Sequence, residues 1–337
     1  MTLPCLFRRL PASAKGCIPR VLVGLLVASG GAAGIAAPLP AQTPASAPRL
    51  LRAGDVDTLP LRDLGRRIAY GPDSLQFGEL RLPTAPDEPR VPIAIVLHGG
   101  CWISSFATVR NTAPLADALT RQGIATWNVE YRRSDSPGGG WPGTFQDAAA
   151  AADYVRVLAR QFPIDTTRIV LLGHSAGGQL ALWLAGRHRL AATSPLAGGM
   201  PLPVRGVLSL GGVTDLEEFA KRQPNGCGRG VSALLGAPPD SVPSRVREAS
   251  PILRVPLGVR TAHIAGEDDR IAPAPVQQAY RRAAETAGDS TAVIVSVPGG
   301  HFEVIAPHTN AGQTVVGLAL AAVGRSPRRS PPGSSPR

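Results

Sequence analysis

The feature that most constrains this chain is the alternation of short, largely apolar runs with longer segments of helical composition. Ile93-Ala94-Ile95-Val96-Leu97 precedes a helical stretch over 108–121. Ala125–Val129 precedes one over 145–160, Ile169–Leu172 one over 176–187, and Thr261–Ala265 one over 275–287. Val204–Leu210 and Ala292–Val297 are further runs of the same kind. A short run that is apolar at successive positions is a strand covered on both faces. Strands separated by helices pair in parallel through right-handed crossovers. Leu75–Leu82 alternates instead, which fits an antiparallel pair at the sheet edge. The expected fold class is therefore α/β, with a mostly parallel central sheet and helices on both faces. Segment 214–250 breaks the rhythm with Pro, Gly and Cys and is expected to be a small lid-like insertion. Ligands of such sheets bind beyond the carboxyl ends of the strands, so chemistry is sought just after each apolar run.

After Ile169–Leu172 comes Gly173-His174-Ser175-Ala176-Gly177-Gly178, and then a helical run. This is G-x-S-x-G at a strand-to-helix turn, where glycines permit a tight bend that lifts the Ser175 hydroxyl clear of the backbone. The helix N-terminus that follows favours negative charge. After Ile93–Leu97 comes His98-Gly99-Gly100-Cys101-Trp102. Glycines there let backbone amides face the cleft. The amides of Gly100, Cys101 and Ala176 are candidates for an oxyanion hole. His98, Gly99 and Trp102 are expected to support that loop rather than to react.

A serine hydroxyl needs a base to take its proton, and the base needs a carboxylate to hold its tautomer. Gly266-Glu267-Asp268-Asp269 follows Thr261–Ala265, and Gly299-Gly300-His301-Phe302 follows Ala292–Val297. Asp269 is expected as the acid and His301 as the base. Glu267, Asp268 and the more distant Asp215 are the rival carboxylates. The other histidines, at 174, 188, 263 and 308, show no metal-binding spacing. Neither a metal nor an organic cofactor is expected.

The formal charge is +11, which on its own would point to nucleic acid. Yet Arg8, Arg9, Lys15 and Arg20 sit in the leader and Arg325, Arg328, Arg329 and Arg337 in the tail, and neither segment contains Asp or Glu. The body between them is nearly neutral, so no nucleic-acid partner is expected. A basic stretch ending at Arg20, followed by Val21–Ala28 and then small residues, reads as a signal peptide over 1–41, cleaved after Ala37 or Ala41. A membrane anchor fits less well. The apolar run falls short of the roughly 20 residues a span needs and is diluted by Gly30, Gly31 and Gly34. Export to the periplasm or the outside is expected, without a stable membrane anchor.

A Pro/Ala-rich linker over 42–60, a catalytic domain over 61–324 and a disordered tail over 325–337 complete the expected organisation. Cys5 and Cys17 would leave with the signal. Cys101 and Cys227 would then face an oxidising compartment, where a disulfide is expected and two buried free thiols are the alternative.

His98–Trp102, Tyr131-Arg132, Trp141-Pro142, Asp147, Gly173–Gly178, Gly266–Asp269 and Gly300-His301 resemble the α/β-hydrolase superfamily. The branch they are most similar to joins hormone-sensitive-lipase-like esterases, bacterial carboxylesterases and kynurenine formamidase-like enzymes. The resemblance spans about residues 66–320. It implies a serine hydrolase with Ser175 as nucleophile, Asp269 as acid and His301 as base. It further implies that Tyr131-Arg132 closes a strand against the oxyanion loop and that Asp147 orders the next helix. The loop reads His-Gly-Gly-Cys-Trp rather than the His-Gly-Gly-Gly of many lipase-like members, so acyl and alcohol preferences do not carry over. The expected activity is hydrolysis of a small carboxylic ester through an acyl-enzyme. Aryl formamidase is the alternative, with a peptidase or a non-catalytic binding module behind it.

Overall fold

Six apolar runs become the parallel body of one eight-stranded sheet. The computed structural model describes residues 49–327. The expected signal peptide and most of the expected tail lie outside the described residues. The strands are β1 (Arg66–Ala69), β2 (Phe77–Arg81), β3 (Val91–Leu97), β4 (Ala125–Val129), β5 (Ile164–His174), β6 (Gly206–Leu210), β7 (Arg260–Gly266) and β8 (Ala292–Val297). Their order across the sheet is β1-β2-β4-β3-β5-β6-β7-β8. β1 and β2 run antiparallel, as do β2 and β4, and the other pairs are parallel. This is the α/β-hydrolase fold.

Every residue of β3 and β4 is buried, because helices cover both faces. Successive side chains of a strand point to opposite sides. Ile93, Ile95 and Leu97 accordingly join the core containing Trp102, Trp127 and Trp183, while Ala94 and Val96 join the one containing Leu115, Leu172 and Val315. Each fully buried Leu or Ile contributes about 1.5–3 kcal/mol.

The helices are α1 (Ala53–Asp57), α2 (Ala113–Arg121), α3 (Gly143–Asp153), α4 (Val155–Gln161), α5 (Ala176–Gly186), α6 (Leu216–Arg222), α7 (Gly228–Leu235), α8 (Pro243–Ala249), α9 (Ala274–Thr286) and α10 (Asn310–Ala322). The stretch expected as one helix over 145–160 divides at Tyr154 into α3 and α4. The insertion at 214–250 supplies α6, α7 and α8. Their Leu216, Phe219, Val231, Leu234, Val246 and Ala249 are buried in the main core, so the segment is packed in rather than laid over. Among the described residues no helix is long and apolar enough to cross a membrane.

Two boundaries differ from the sequence reading. Residues 49–60 belong to the expected linker, yet they fold onto the domain. Val56 of α1 is fully buried, and the Leu51 amide donates to Glu303 Oε1 at 2.6 Å. Arg110 donates to the carbonyls of Asp57 and Leu59 at 2.8 and 2.7 Å. An apolar anchor and satisfied backbone carbonyls outweigh the Pro/Ala-rich composition that precedes them. Arg325, the first residue of the expected disordered tail, pairs with Asp87 at 2.6 Å and also with Glu88.

Candidate active site

At the carboxyl end of β5 the chain turns sharply into α5, with Ser175 at the apex. Its backbone lies at φ 54°, ψ −116°, a left-handed conformation that a non-glycine residue holds only when its surroundings enforce it. Two glycines make the turn possible. A side chain at Gly173 would run into the carbonyl of Gly177, and one at Gly177 into the carbonyl of Leu97. The Ser175 amide is satisfied by the Leu210 carbonyl of β6 at 2.9 Å. Its hydroxyl is thus presented at the rim of the sheet, beside the N-terminus of α5.

The loop after β3 passes directly against this turn. A Cβ placed on Gly99 would lie 3.0 Å from the Ser175 Cβ. Gly100, Cys101 and Trp102 all have positive φ, at 98°, 54° and 57°. The amides of Gly100, Cys101 and Ala176 meet no acceptor among the described residues. Three N–H groups, two from a strained loop and one from a helix start, are therefore left open beside the Ser175 turn.

Asp269 and His301, at the ends of β7 and β8, are brought into contact. His301 Nδ1 lies 2.7 Å from Asp269 Oδ2. The other oxygen of Asp269 accepts from the amides of Ile271 and Ala272 at 2.7 and 3.0 Å. Burial pushes the Asp269 carboxyl up, but the His301 hydrogen bond and charge and the two amides outweigh it, and the group is held below the ordinary value. It is ionised and fixed, and it pins His301 so that Nε2 is the free nitrogen. The rival carboxylates are placed elsewhere. Asp215 caps α6 by accepting from the amides of Glu217 and Glu218, and Glu267 and Asp268 are exposed.

No hydrogen bond joins the Ser175 hydroxyl to His301 among the described residues. The structure brings Asp269 and His301 together and leaves the Ser175 hydroxyl on the same rim. Such bonds commonly close only with substrate in place. The rim itself is stitched through His174, whose Nε2 donates to the His301 carbonyl at 2.9 Å.

The supporting residues form a second polar layer beneath the loop. His98 Nε2 lies 2.8 Å from Glu130 Oε1 and its Nδ1 2.7 Å from the Gly99 carbonyl. Tyr131 stacks on the His98 ring at 4.4 Å and donates its hydroxyl to the His98 carbonyl at 2.8 Å. Glu130, absent from the sequence reading, also takes Arg133 and, at 3.0 Å, the Val109 amide. Burial would raise it, yet the His98 charge and hydrogen bond, with Arg133 and Val109, bring its carboxyl down to about 2. Asp147 accepts from the amide, Nε and Nη2 of Arg132 and from Gln76, so it orders the end of β4 as well as sitting in α3. Trp102 is fully buried and donates to Gln179 Oε1 at 3.1 Å. Gln179 had no place in the sequence reading. Its position one turn into the helix after the serine was the available signal. A disulfide joins Cys101 to Cys227, with Cα atoms 5.0 Å apart. Among the described residues no group of three His, Cys, Asp or Glu is disposed to hold a metal ion.

Esterase LipI of Mycobacterium tuberculosis is 33% identical over 119 residues, covering 34% of this chain and 35% of that protein. The acylamino-acid-releasing enzyme of Mus musculus is 28% identical over 178 residues, covering 48% and 24%. The chain thus spans about a third or less of these curated relatives. A truncated carbohydrate esterase from gut microbiota superposes with a TM-score of 0.66 at 22% identity, over 77% of this chain and 95% of that one, a likeness of fold. The model of the BD-FAE family matches residues 79–281, a span that holds Ser175 and Asp269 and stops before His301, whose placement rests on the geometry above. That match covers more than half of the sequence, and the chain belongs to the BD-FAE family.

Proposed function

We propose that the chain is a serine esterase that cleaves small carboxylic esters through an acyl-enzyme. Ser175 Oγ bonds to the acyl carbon while His301 Nε2 accepts the hydroxyl proton. The carbonyl oxygen gathers negative charge against the amides of Gly100, Cys101 and Ala176. As the tetrahedral adduct collapses, the ester C–O bond breaks and His301 returns the proton to the departing alkoxide. Water then repeats the sequence, freeing the acid and restoring the hydroxyl. Asp269 stays ionised and holds the imidazole tautomer throughout.

The observation that carries this reading is the His301–Asp269 bond at 2.7 Å on the same rim as the strained Ser175 turn. The relative named as an esterase supports an ester over a formamide. The leader at 1–41 supports export, and the Cys101–Cys227 bond suits an oxidising compartment.

The test is a hydrolysis screen of nitrophenyl esters of increasing acyl length, acetylated sugars and N-formylkynurenine, with Ser175→Ala as control. Ester turnover that vanishes in the variant is expected. Turnover of the formamide above every ester, or a variant as active as the wild type, would overturn the assignment.

A further inference from the structure

We infer that the insertion carrying α6, α7 and α8 is a brace for the oxyanion loop, and that the Cys101–Cys227 disulfide is a positioning device whose cleavage by a dithiol lowers turnover without unfolding the protein. This rests on the serine-esterase reading and names how its oxyanion site is held.

Two adjacent non-glycine residues of the loop, Cys101 and Trp102, sit at φ 54° and 57°. Left alone, such residues relax to negative φ, and rotation there turns the Cys101 amide away from the Ser175 rim. Both residues are tied to the insertion. Cys101 is bonded to Cys227, at the start of α7, across 126 residues of sequence. Trp102 packs edge-on against Phe219 of α6 at 6.4 Å. Its indole also donates to Gln179, which in turn donates to the Ala249 carbonyl of α8 at 2.8 Å. The absence of a side chain at Gly230 lets α7 close onto the Cys101 carbonyl, where a Cβ would collide.

The insertion does not need the bond to stay folded. Leu216, Phe219, Val231 and Leu234 anchor it in the main core. Cutting the bond therefore frees the loop and leaves the brace standing. In that step a dithiol thiolate attacks one sulfur, and the second thiol displaces the mixed disulfide. Two electrons and two protons pass to Cys101 and Cys227, and the dithiol leaves as its cyclic disulfide.

The full chain is assayed on a short-acyl nitrophenyl ester, with kcat and KM determined separately and fold followed by circular dichroism. Losing an oxyanion donor outright costs about 10²–10³ in kcat, so a donor set loose is expected to cost about 10- to 100-fold. That loss is expected in reduced wild type and in Cys227→Ser alike, with KM within about threefold, since the change acts on the transition state. Cys227→Ser is expected to ignore dithiol, and wild type to recover with oxidised glutathione. Unchanged kcat in folded, reduced protein overturns the inference, and so does loss of the fold on reduction, which makes the bond a structural staple. Wild type inert toward every ester contradicts the esterase reading instead.

Discussion

His174 and His301 are bound through one hydrogen bond: the imidazole Nε2 of the first donates to the backbone carbonyl of the second at 2.9 Å. The residue preceding the proposed nucleophile thus holds the backbone of the proposed base, with the two rings 4.6 Å apart. Burial, with the His301 charge adding to it, pushes the His174 imidazole down to about 3. It is neutral, with its proton on Nε2.

His174→Ala removes that donor and opens space beneath His301. A misplacement of about 1 Å in a catalytic group costs on the order of 100-fold, so kcat is expected to fall 10- to 100-fold with little change in KM. His174→Gln, which keeps an N–H donor of similar reach, is expected to restore most of the loss. Steady-state kinetics on one ester checks both, and equal activity in the two variants would contradict the positioning role.

Asp269→Asn leaves shape intact but no longer fixes the His301 tautomer. A loss of about 10³–10⁴ in kcat is expected, the size such a change has elsewhere. Asp268→Asn and Glu267→Gln, at exposed neighbours, are expected to stay within about threefold. A larger loss at Asp268 than at Asp269 would reassign the acid.

Stability is expected to fall with acid over a defined range. His174 and His263 are pushed down to about 3 and about 4, chiefly by burial, against an ordinary value of 6.5. Below 6.5 the unfolded chain takes protons that the folded one refuses, so stability drops as pH falls toward 4 and 3, with a slope of up to about 1.4 kcal/mol per pH unit for each histidine. Glu130, lowered from 4.5 to about 2, adds a loss of the same sign as pH falls from 4.5 toward 2. Urea midpoints at about pH 8, 6, 5 and 4 check this. A flat profile below 6.5 would contradict it.

Glu130→Gln tests the layer beneath the oxyanion loop. It removes the charge that pairs with Arg133, whose side chain is 5% exposed, and with fully buried His98. Breaking one side of a buried pair costs about 3–5 kcal/mol, a drop in melting temperature of roughly 10 °C for a domain of this size. Calorimetry reads it directly. A change under about 2 °C would show the layer to be dispensable.

The parallel strands were legible because β3 through β7 each hold a largely apolar stretch covered on both faces, such as all of β3 and Ile169–Leu172 of β5. β1 was not, since Arg66-Arg67-Ile68-Ala69 is a largely exposed edge strand whose pairing is made by backbone rather than by pattern. Ser175, Asp269 and His301 could be nominated because each follows an apolar run, with Glu267 and Asp268 left as rivals to Asp269 until coordinates showed which carboxylate meets His301. Spacing along a loop does not reveal which carboxylate turns inward. The roles of Glu130 and Gln179 were hidden for a related reason. Their partners His98, Trp102 and Ala249 lie far away in sequence, and a lone polar residue carries no sign of them. The insertion at 214–250 was legible as a break in the rhythm, but its three helices were not. Its Pro and Gly mark helix ends, and the apolar residues between them supply buried faces.

The most direct measurement is intact-protein mass spectrometry, with peptide mapping, after exposure to an alkyl fluorophosphonate, which traps only an activated hydroxyl. One adduct per chain on the peptide holding Ser175 is expected. Ser175→Ala should carry none, and His301→Gln should label far more slowly. An adduct elsewhere, or an unlabelled chain that still cleaves esters, would contradict the assignment of Ser175, His301 and Asp269 as one working unit.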